Sequence, residues 1–290
     1  MSSEPIPGST LPYPPVYKDK RFVVLSDWDG TITTQDSNDY MTDNLGFGKD
    51  LRRAGNLEIL AGRDTFRDGF RKMLQSIVAN GHSFETCKEE LRKNIKLDSG
   101  FKEFHAWCST NDIPVVIVSR CVVRGAHVRP HQQPDWLDWP DGVLPDLTRS
   151  GMAPIIRAVL GSLVGDAVAD TIDIIANDVE VAEDGKWEIK FRHPSSGFGH
   201  DKSRAILPYK DLEAPPLLFF FGDGVSDMSA ARHADVLFVK QKPDGENDLA
   251  VYCVREGIPH ILFSDFTEAL EVVRSVVSGE RTKEEVLGIN

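Results

Sequence analysis

The chain has no long apolar run, no basic block and no paired-cysteine motif, and each absence removes a class of protein. No hydrophobic stretch approaches the ~18 residues of a membrane-spanning helix, so no membrane role is expected. Lysine and arginine (33) are outnumbered by aspartate and glutamate (45), for a formal net charge of -12. With no Lys/Arg cluster to offset that balance, nucleic acid and anionic membrane surfaces are poor partners. The four cysteines, Cys87, Cys108, Cys121 and Cys253, show neither CxxC nor any metal-ligand spacing. Reduced thiols in a cytoplasmic protein are the expectation. The N-terminus lacks the apolar core of a signal peptide. Its prolines (Pro5, Pro7, Pro12, Pro14 and Pro15) predict a disordered tail over residues 1–20.

What is present is an ordinary globular balance, 41% hydrophobic and 27% charged over 290 residues, enough for one core domain with a smaller insert. Residues 22–39, FVVLSDWDGTITTQDSND, run a buried strand (22–27) straight into two aspartates one residue apart. From about 36 to 110 the period turns helical. Phe66, Phe70, Met73, Leu74, Ile77 and Val78 recur at three- and four-residue spacings up to Gly81, and Ser83 with Thr86 opens a further helix. IPVVIVS (113–119) is a second buried strand, and PPLLFFFGDGVSD a third that ends in carboxylates. IDIIANDVEV, KWEIKF, VLFV and HILF add strands, with helices between and after them. This alternation predicts an α/β fold, a Rossmann-like doubly wound parallel sheet, with a helical cap inserted after the first strand. The expected division is a core over 21–35 and 100–290 and a cap over 36–99.

In such sheets chemistry sits at the carboxyl ends of the strands, and three strands end in candidate residues: Asp27 with Asp29, Ser119, and Asp223 with Asp227. Crowded carboxylates are costly unless a cation lies among them. Mg²⁺ suits the need, because it takes few protein oxygens and leaves room for substrate oxygens. Asp27, Asp223 and a backbone carbonyl near Asp29 are the expected ligands, with Asp227 supporting them. A carboxylate at Asp27 can accept a phosphoryl group. Asp29, facing the same mouth, can protonate the leaving oxygen and later activate water. Ser119 and the N–H groups opening the next helix, at Ser150 and Gly151, would hold phosphate oxygens. Lys202 would neutralise the remaining charge.

DWDGTIT, the serine of VVIVS, the lysine of GHDKSRAI and GDGVSDMSAAR resemble motifs I to IV of the haloacid dehalogenase (HAD) superfamily, in family order over roughly residues 20–280. The helical insert is similar to the type-1 cap of the phosphoserine-phosphatase-like branch, subfamily IB. That branch holds phosphatases of phosphoserine, phosphocholine, methionine-salvage intermediates and sugar or polyol phosphates. The resemblance implies a Mg²⁺-dependent phosphatase of a small phosphorylated metabolite, working through an aspartyl-phosphate. It makes Asp27 the nucleophile, Asp29 the general acid/base, Ser119 and Lys202 phosphate ligands, and Asp223 and Asp227 metal-site residues. Taken singly, each motif also reads as an ordinary turn, strand end or surface residue; their joint order carries the resemblance. The competing readings are a phosphometabolite-binding protein without catalysis, a phosphotransferase or mutase, and a DxD glycosyltransferase. The last leaves Lys202 and GDGVSD unexplained.

Asp36, Ser37, Asn38 and Asp39 follow the first motif and read equally as helix caps or as contacts to the substrate's leaving group. For the second role, Asp36 and Asn38 are the candidates, and they suit an amine or polyol. Arg52, Arg53, Arg63, Arg67 and Arg71 are expected on solvated helix faces. His82, His105, His193, His233 and His260 show no ligand spacing and are expected to be ordinary core or surface residues, while His200 is a weaker candidate for the site lining.

Residues 120–149 depart from the family pattern. There the second motif runs through a short Ser/Gly turn into a helix, whereas here 120–149 separates Ser119 from Ser150. The segment holds four prolines and neither lysine nor glutamate, and it follows no helix or strand period. Arg120-Cys121-Val122 can be encoded with a splice-donor sequence, and in-frame removal of 120–149 restores VVIVSSGMAPII. A retained intron is the expectation, and a genuine inserted loop the alternative.

Overall fold

The computed structural model describes residues 9–122, 153–242 and 247–289. Seven strands form one sheet: β1 (Phe22–Ser26), β2 (Val115–Val122), β3 (Asp173–Val181), β4 (Trp187–Lys190), β5 (Leu217–Gly222), β6 (Val236–Lys240) and β7 (Ile261–Phe263). Their order is β4-β3-β2-β1-β5-β6-β7. Every pairing is parallel except β3 with β4, a hairpin closed by the turn 182–186.

Burial on both faces explains why the strands read as continuous apolar runs. Val23 and Leu25 pack with Val116, Val118, Leu218, Phe220, Leu237 and Val239 on one face. Val24 packs with Val115, Ile117, Phe219, Phe221, Val236 and Phe238 on the other. The second face is tightened by rings: Phe221 stacks on Phe238 at 4.4 Å, and Phe104 and Phe266 meet Phe221 at 5.4 and 5.1 Å.

Four helices (Ser37–Leu45, Lys49–Leu60, Phe66–Ala79 and Phe84–Asn94) leave the core after β1. The chain departs and returns side by side, through a Thr33–Leu97 bridge and the bonds Thr34 N–H to Lys96 O (2.9 Å) and Asp98 N–H to Ile32 O (2.9 Å). Side-chain caps start three of these helices as their sequences suggest: Asp36 receives N–H groups of Asn38 and Asp39, Thr65 that of Asp68, and Ser83 that of Thr86.

Three expectations need correction. The tail does not reach residue 20, because Thr10 N–H bonds Arg192 O (2.8 Å), and Arg192 Nη1 donates to the carbonyls of Leu11 (3.0 Å) and Pro12 (2.9 Å). The buried Arg192 guanidinium takes these backbone carbonyls as partners and so ties the proline-rich segment down. Strand β2 does not stop at Ser119: after an irregularity beyond Val118 its pairing with β3 resumes at Val122–Asn177. Arg52 is not on a solvated face. It is 7% exposed and clamps Asp39 (2.5 Å) and Asp43 (2.7 Å), joining the first two cap helices. Ser150, Gly151 and nearly all of the segment 120–149 lie outside the described residues.

Candidate active site

Each carboxylate of the site is placed by local geometry just past the end of a core strand. β1 ends at Ser26, and Asp27 N–H donates to Phe221 O (2.8 Å), which locks the start of the turn against β5. Trp28–Ile32 then closes on itself. Thr33 N–H and Oγ1 both donate to Trp28 O at 3.0 Å, and Gly30 N–H donates to Thr33 Oγ1 at 3.2 Å. Gly30 sits at φ +72°, where a side chain is strained. Thr31 Oγ1 reaches across to Asp223 Oδ1 (3.0 Å).

At the end of β5 the chain turns sharply so that Asp227 folds back over it. Its Oδ2 accepts the N–H groups of Asp223 (3.1 Å) and Gly224 (3.2 Å). Gly222 permits this, since a Cβ there would lie 2.6 Å from Asp227 Cγ. The first glycine of Gly-Asp-Gly is therefore a packing requirement of the returning carboxylate, whereas a Cβ at Gly224 would meet nothing within 4 Å.

Ligand atoms of Asp27, Asp223 and Asp227 lie within 4.8 Å of one another, and all three residues are buried. Two ammonium groups balance them. Lys202 Nζ, on a residue with 0% exposure, lies 2.7 Å from both Asp27 Oδ1 and Asp227 Oδ1. Lys242 Nζ lies 2.5 Å from Asp223 Oδ2. The all-oxygen donor set and the surplus of buried negative charge fit a hard divalent cation such as Mg²⁺.

Asp29 opens on the same pocket as Asp27 and Asp223 but is held by other partners. Ser37 N–H (2.8 Å) and Ser37 Oγ donate to its Oδ1, and Asn38 Nδ2 (2.8 Å) donates to its Oδ2. Its carboxylate is not part of the acidic trio. Burial, with Asp36 and Asp27 nearby, holds the Asp29 carboxyl well above the usual range against the bonds from Ser37. Burial likewise raises Asp27 to about 7, helped by Asp227 and opposed by Lys202. Asp223 is raised by burial, with Lys242 opposing. A raised carboxyl keeps a proton to give.

Above these acids opens a pocket walled by Ile59, Phe66, Phe70 and Met73 and lined with polar groups from Asp36, Asn38, Asp39, Asn56 and Lys242. Asp36 caps its helix and also lines the pocket. Asn38 spends its amide N–H on Asp29, and its buried Oδ1 has no partner among the described residues. Ser119 is buried, and its carbonyl meets His200 Nδ1 at 2.7 Å. Sequence reasoning missed Lys242 and Asn56. Lys242 follows β6 at the same end of the sheet as the acids, so the strand-end rule points to it. Asn56 carries no local signal.

The haloacid dehalogenase-like hydrolase family model matches residues 24–127. The chain is 38% identical over 273 residues to the polyol phosphate phosphatase PYP1 of Saccharomyces cerevisiae, covering 91% of this chain and 98% of that protein. It is 40% identical over 251 residues to the Pdp3-interacting factor 1 of Schizosaccharomyces pombe, covering 86% of this chain and 93% of that one. A solved structure of a phospho-aspartyl intermediate analogue of phosphoserine phosphatase shares the fold, at TM-score 0.55 and 16% identity over 87% of this chain and 99% of the other.

Proposed function

The chain belongs to the haloacid dehalogenase-like hydrolases and is a phosphatase, and on that premise we propose that it hydrolyses the phosphomonoester of a small polyol, with Mg²⁺, through an aspartyl-phosphate. The observation that carries the catalytic reading is the meeting of Asp27, Asp223 and Asp227, the first and last of them bound to buried Lys202.

In this reading Asp27 Oδ attacks phosphorus while the ester oxygen departs with a proton from Asp29. A new Asp27–O–P bond replaces the substrate's P–O bond. Asp29, now a carboxylate, takes a proton from water as that water attacks phosphorus, and the acyl phosphate breaks to free Asp27 and inorganic phosphate. Ser37 and Asn38 hold the Asp29 carboxyl in one orientation throughout. Ser119 and Lys202 bind the phosphoryl oxygens, and Asp227 keeps Lys202 and the 223–224 backbone in place. Asp27 and Asp223 would hold Mg²⁺ with a backbone carbonyl near Asp29, Asp227 supporting. The ion supplies positive charge that lets a phosphate approach a carboxylate.

The polyol assignment rests on the pocket's acceptors. Asn38 Oδ1 is buried and unsatisfied, and Asp36 and Asp39 stand beside it. Hydroxyl donors of a polyol satisfy such groups, and an unmet buried acceptor costs ~1–3 kcal/mol. The name of the yeast relative points the same way. The cap over 36–99, the core over 21–35 and 100–290 and a cytoplasmic location complete the proposal. So does a retained-intron origin for 120–149: a transcript lacking those codons would join Ser119 to Ser150 and Gly151.

The test is release of inorganic phosphate from glycerol phosphate and from p-nitrophenyl phosphate, with and without Mg²⁺. Release that requires the ion and disappears in Asp27→Asn is the expected result. Equal turnover by Asp27→Asn would overturn the mechanism, and preference for phosphoserine over polyol phosphates would overturn the substrate class.

A further inference from the structure

One chain of contacts, unused by the chemistry above, runs from the N-terminal segment to Ser119. His200 is fully buried, and its Nδ1 lies 2.7 Å from the Ser119 carbonyl oxygen. A carbonyl only accepts, so Nδ1 carries the proton, and in the neutral ring Nε2 is bare. Among the described residues that nitrogen has no partner. Burial first, then nearby Arg192 and His193, hold the ring neutral.

His193 is fixed in the opposite tautomer. Its Nδ1 accepts the N–H of Asp201 (3.0 Å), so its proton sits on Nε2, which meets Tyr13 Oη at 2.8 Å. The His193 ring lies 5.4 Å from that of His200 and 6.2 Å from that of Tyr13. Arg192 covers the Tyr13 ring at 4.5 Å. It also donates to the carbonyls of Leu11, Pro12 and Ala176, while its own N–H bonds Asn177 on β3. Residues 10–13 are thus strapped to the 191–193 segment. From there the loop returns through Gly199 (φ +69°), whose missing side chain leaves room for Phe191, to His200 and Lys202.

We propose that His200 is a positioning residue for phosphate capture, fixing the Ser119 peptide through Nδ1–H, and that the strap of residues 10–13 holds it there through Tyr13 and His193. The inference rests on Ser119 being a phosphate ligand. It explains why β2 can continue past Ser119 without releasing it: the carbonyl has a partner from outside the sheet.

The test is calorimetric binding of inorganic phosphate in the presence of Mg²⁺, with KM and kcat, for the full chain and four variants. Asparagine places an amide N–H where Nδ1–H stands, and glutamine places one at the Nε2 position. His200→Asn should therefore keep phosphate affinity within about twofold, while His200→Gln loses about tenfold with a matching rise in KM. Tyr13→Phe should shift affinity in the same direction by a smaller factor. A general packing defect would instead affect asparagine and glutamine alike. Equal affinities for those two variants, or wild-type affinity in folded His200→Gln, overturn the proposal. Ser119→Ala separates the two levels. If it binds phosphate like the wild type, the phosphate-ligand reading fails and takes this proposal with it. If it binds weakly while His200→Gln does not, only the positioning role fails.

Discussion

Gly30 and Asp223 meet so closely that a Cβ on Gly30 would stand 2.6 Å from Asp223 Oδ2. The turn after β1 and the acid after β5 are therefore fitted to each other through the one residue type without a side chain. Gly30→Ala combines a left-handed backbone, at about 1–2 kcal/mol, with displacement of Asp223 from the acidic trio. Stability should drop by about 1–3 kcal/mol in urea unfolding, and phosphate release should fall more than a hundredfold. Wild-type turnover in this variant would refute the fit.

Lys202 is the buried counter-charge of two carboxylates at once. Lys202→Met removes it and leaves Asp27 and Asp227 facing each other without solvent. Removing one partner of a buried pair costs about 3–5 kcal/mol. The expected loss in metal-free protein is of that size, with partial recovery on adding Mg²⁺. A denaturation midpoint unchanged in EDTA would contradict the role.

Metal-free stability should depend on pH through Asp27. Its folded value is raised to about 7 by burial first and Asp227 second, against about 3.9 in an unfolded chain. Between those values the folded protein holds a proton that the unfolded chain has released, so stability falls as pH rises. Urea midpoints in EDTA should decline from about pH 5 to about pH 7.5, and Asp27→Asn should remove part of that decline, since the raised Asp29, Asp39 and Asp223 carboxyls act in the same direction. A rise over that range in the wild type, unaltered by the substitution, would reverse the sign.

Asn38 lines the pocket and donates to Asp29. Asn38→Leu removes the unsatisfied Oδ1 and one of the bonds to Asp29. KM for glycerol phosphate should rise about tenfold beyond any rise for p-nitrophenyl phosphate, which offers no hydroxyl donors. Equal effects on both substrates would confine Asn38 to orienting Asp29.

The two ends of the chain's reach explain what was readable. Asp27, Asp29, Asp223 and Asp227 belong to short turns whose glycines and strand neighbours are local, so their pattern is visible in sequence. Asp98 was not visible. It accepts N–H groups of Gly100 (3.0 Å) and Phe266 (2.9 Å) and binds Lys240, partners up to 168 residues away. Arg52 looked like a surface residue because its helix is amphipathic, but it is buried by carboxylates of the helix before it.

By itself, the amino-acid order determined the strands, the cap helices and the identity of the acids at the strand ends, because periodicity, capping and glycine turns act over a few residues. Only the tertiary structure decided which distant groups share a proton or a charge: Lys202 with Asp27 and Asp227, Lys242 with Asp223, His200 with Ser119. Hydrogen bonds and ion pairs operate over about 3 Å of space whatever the separation along the chain.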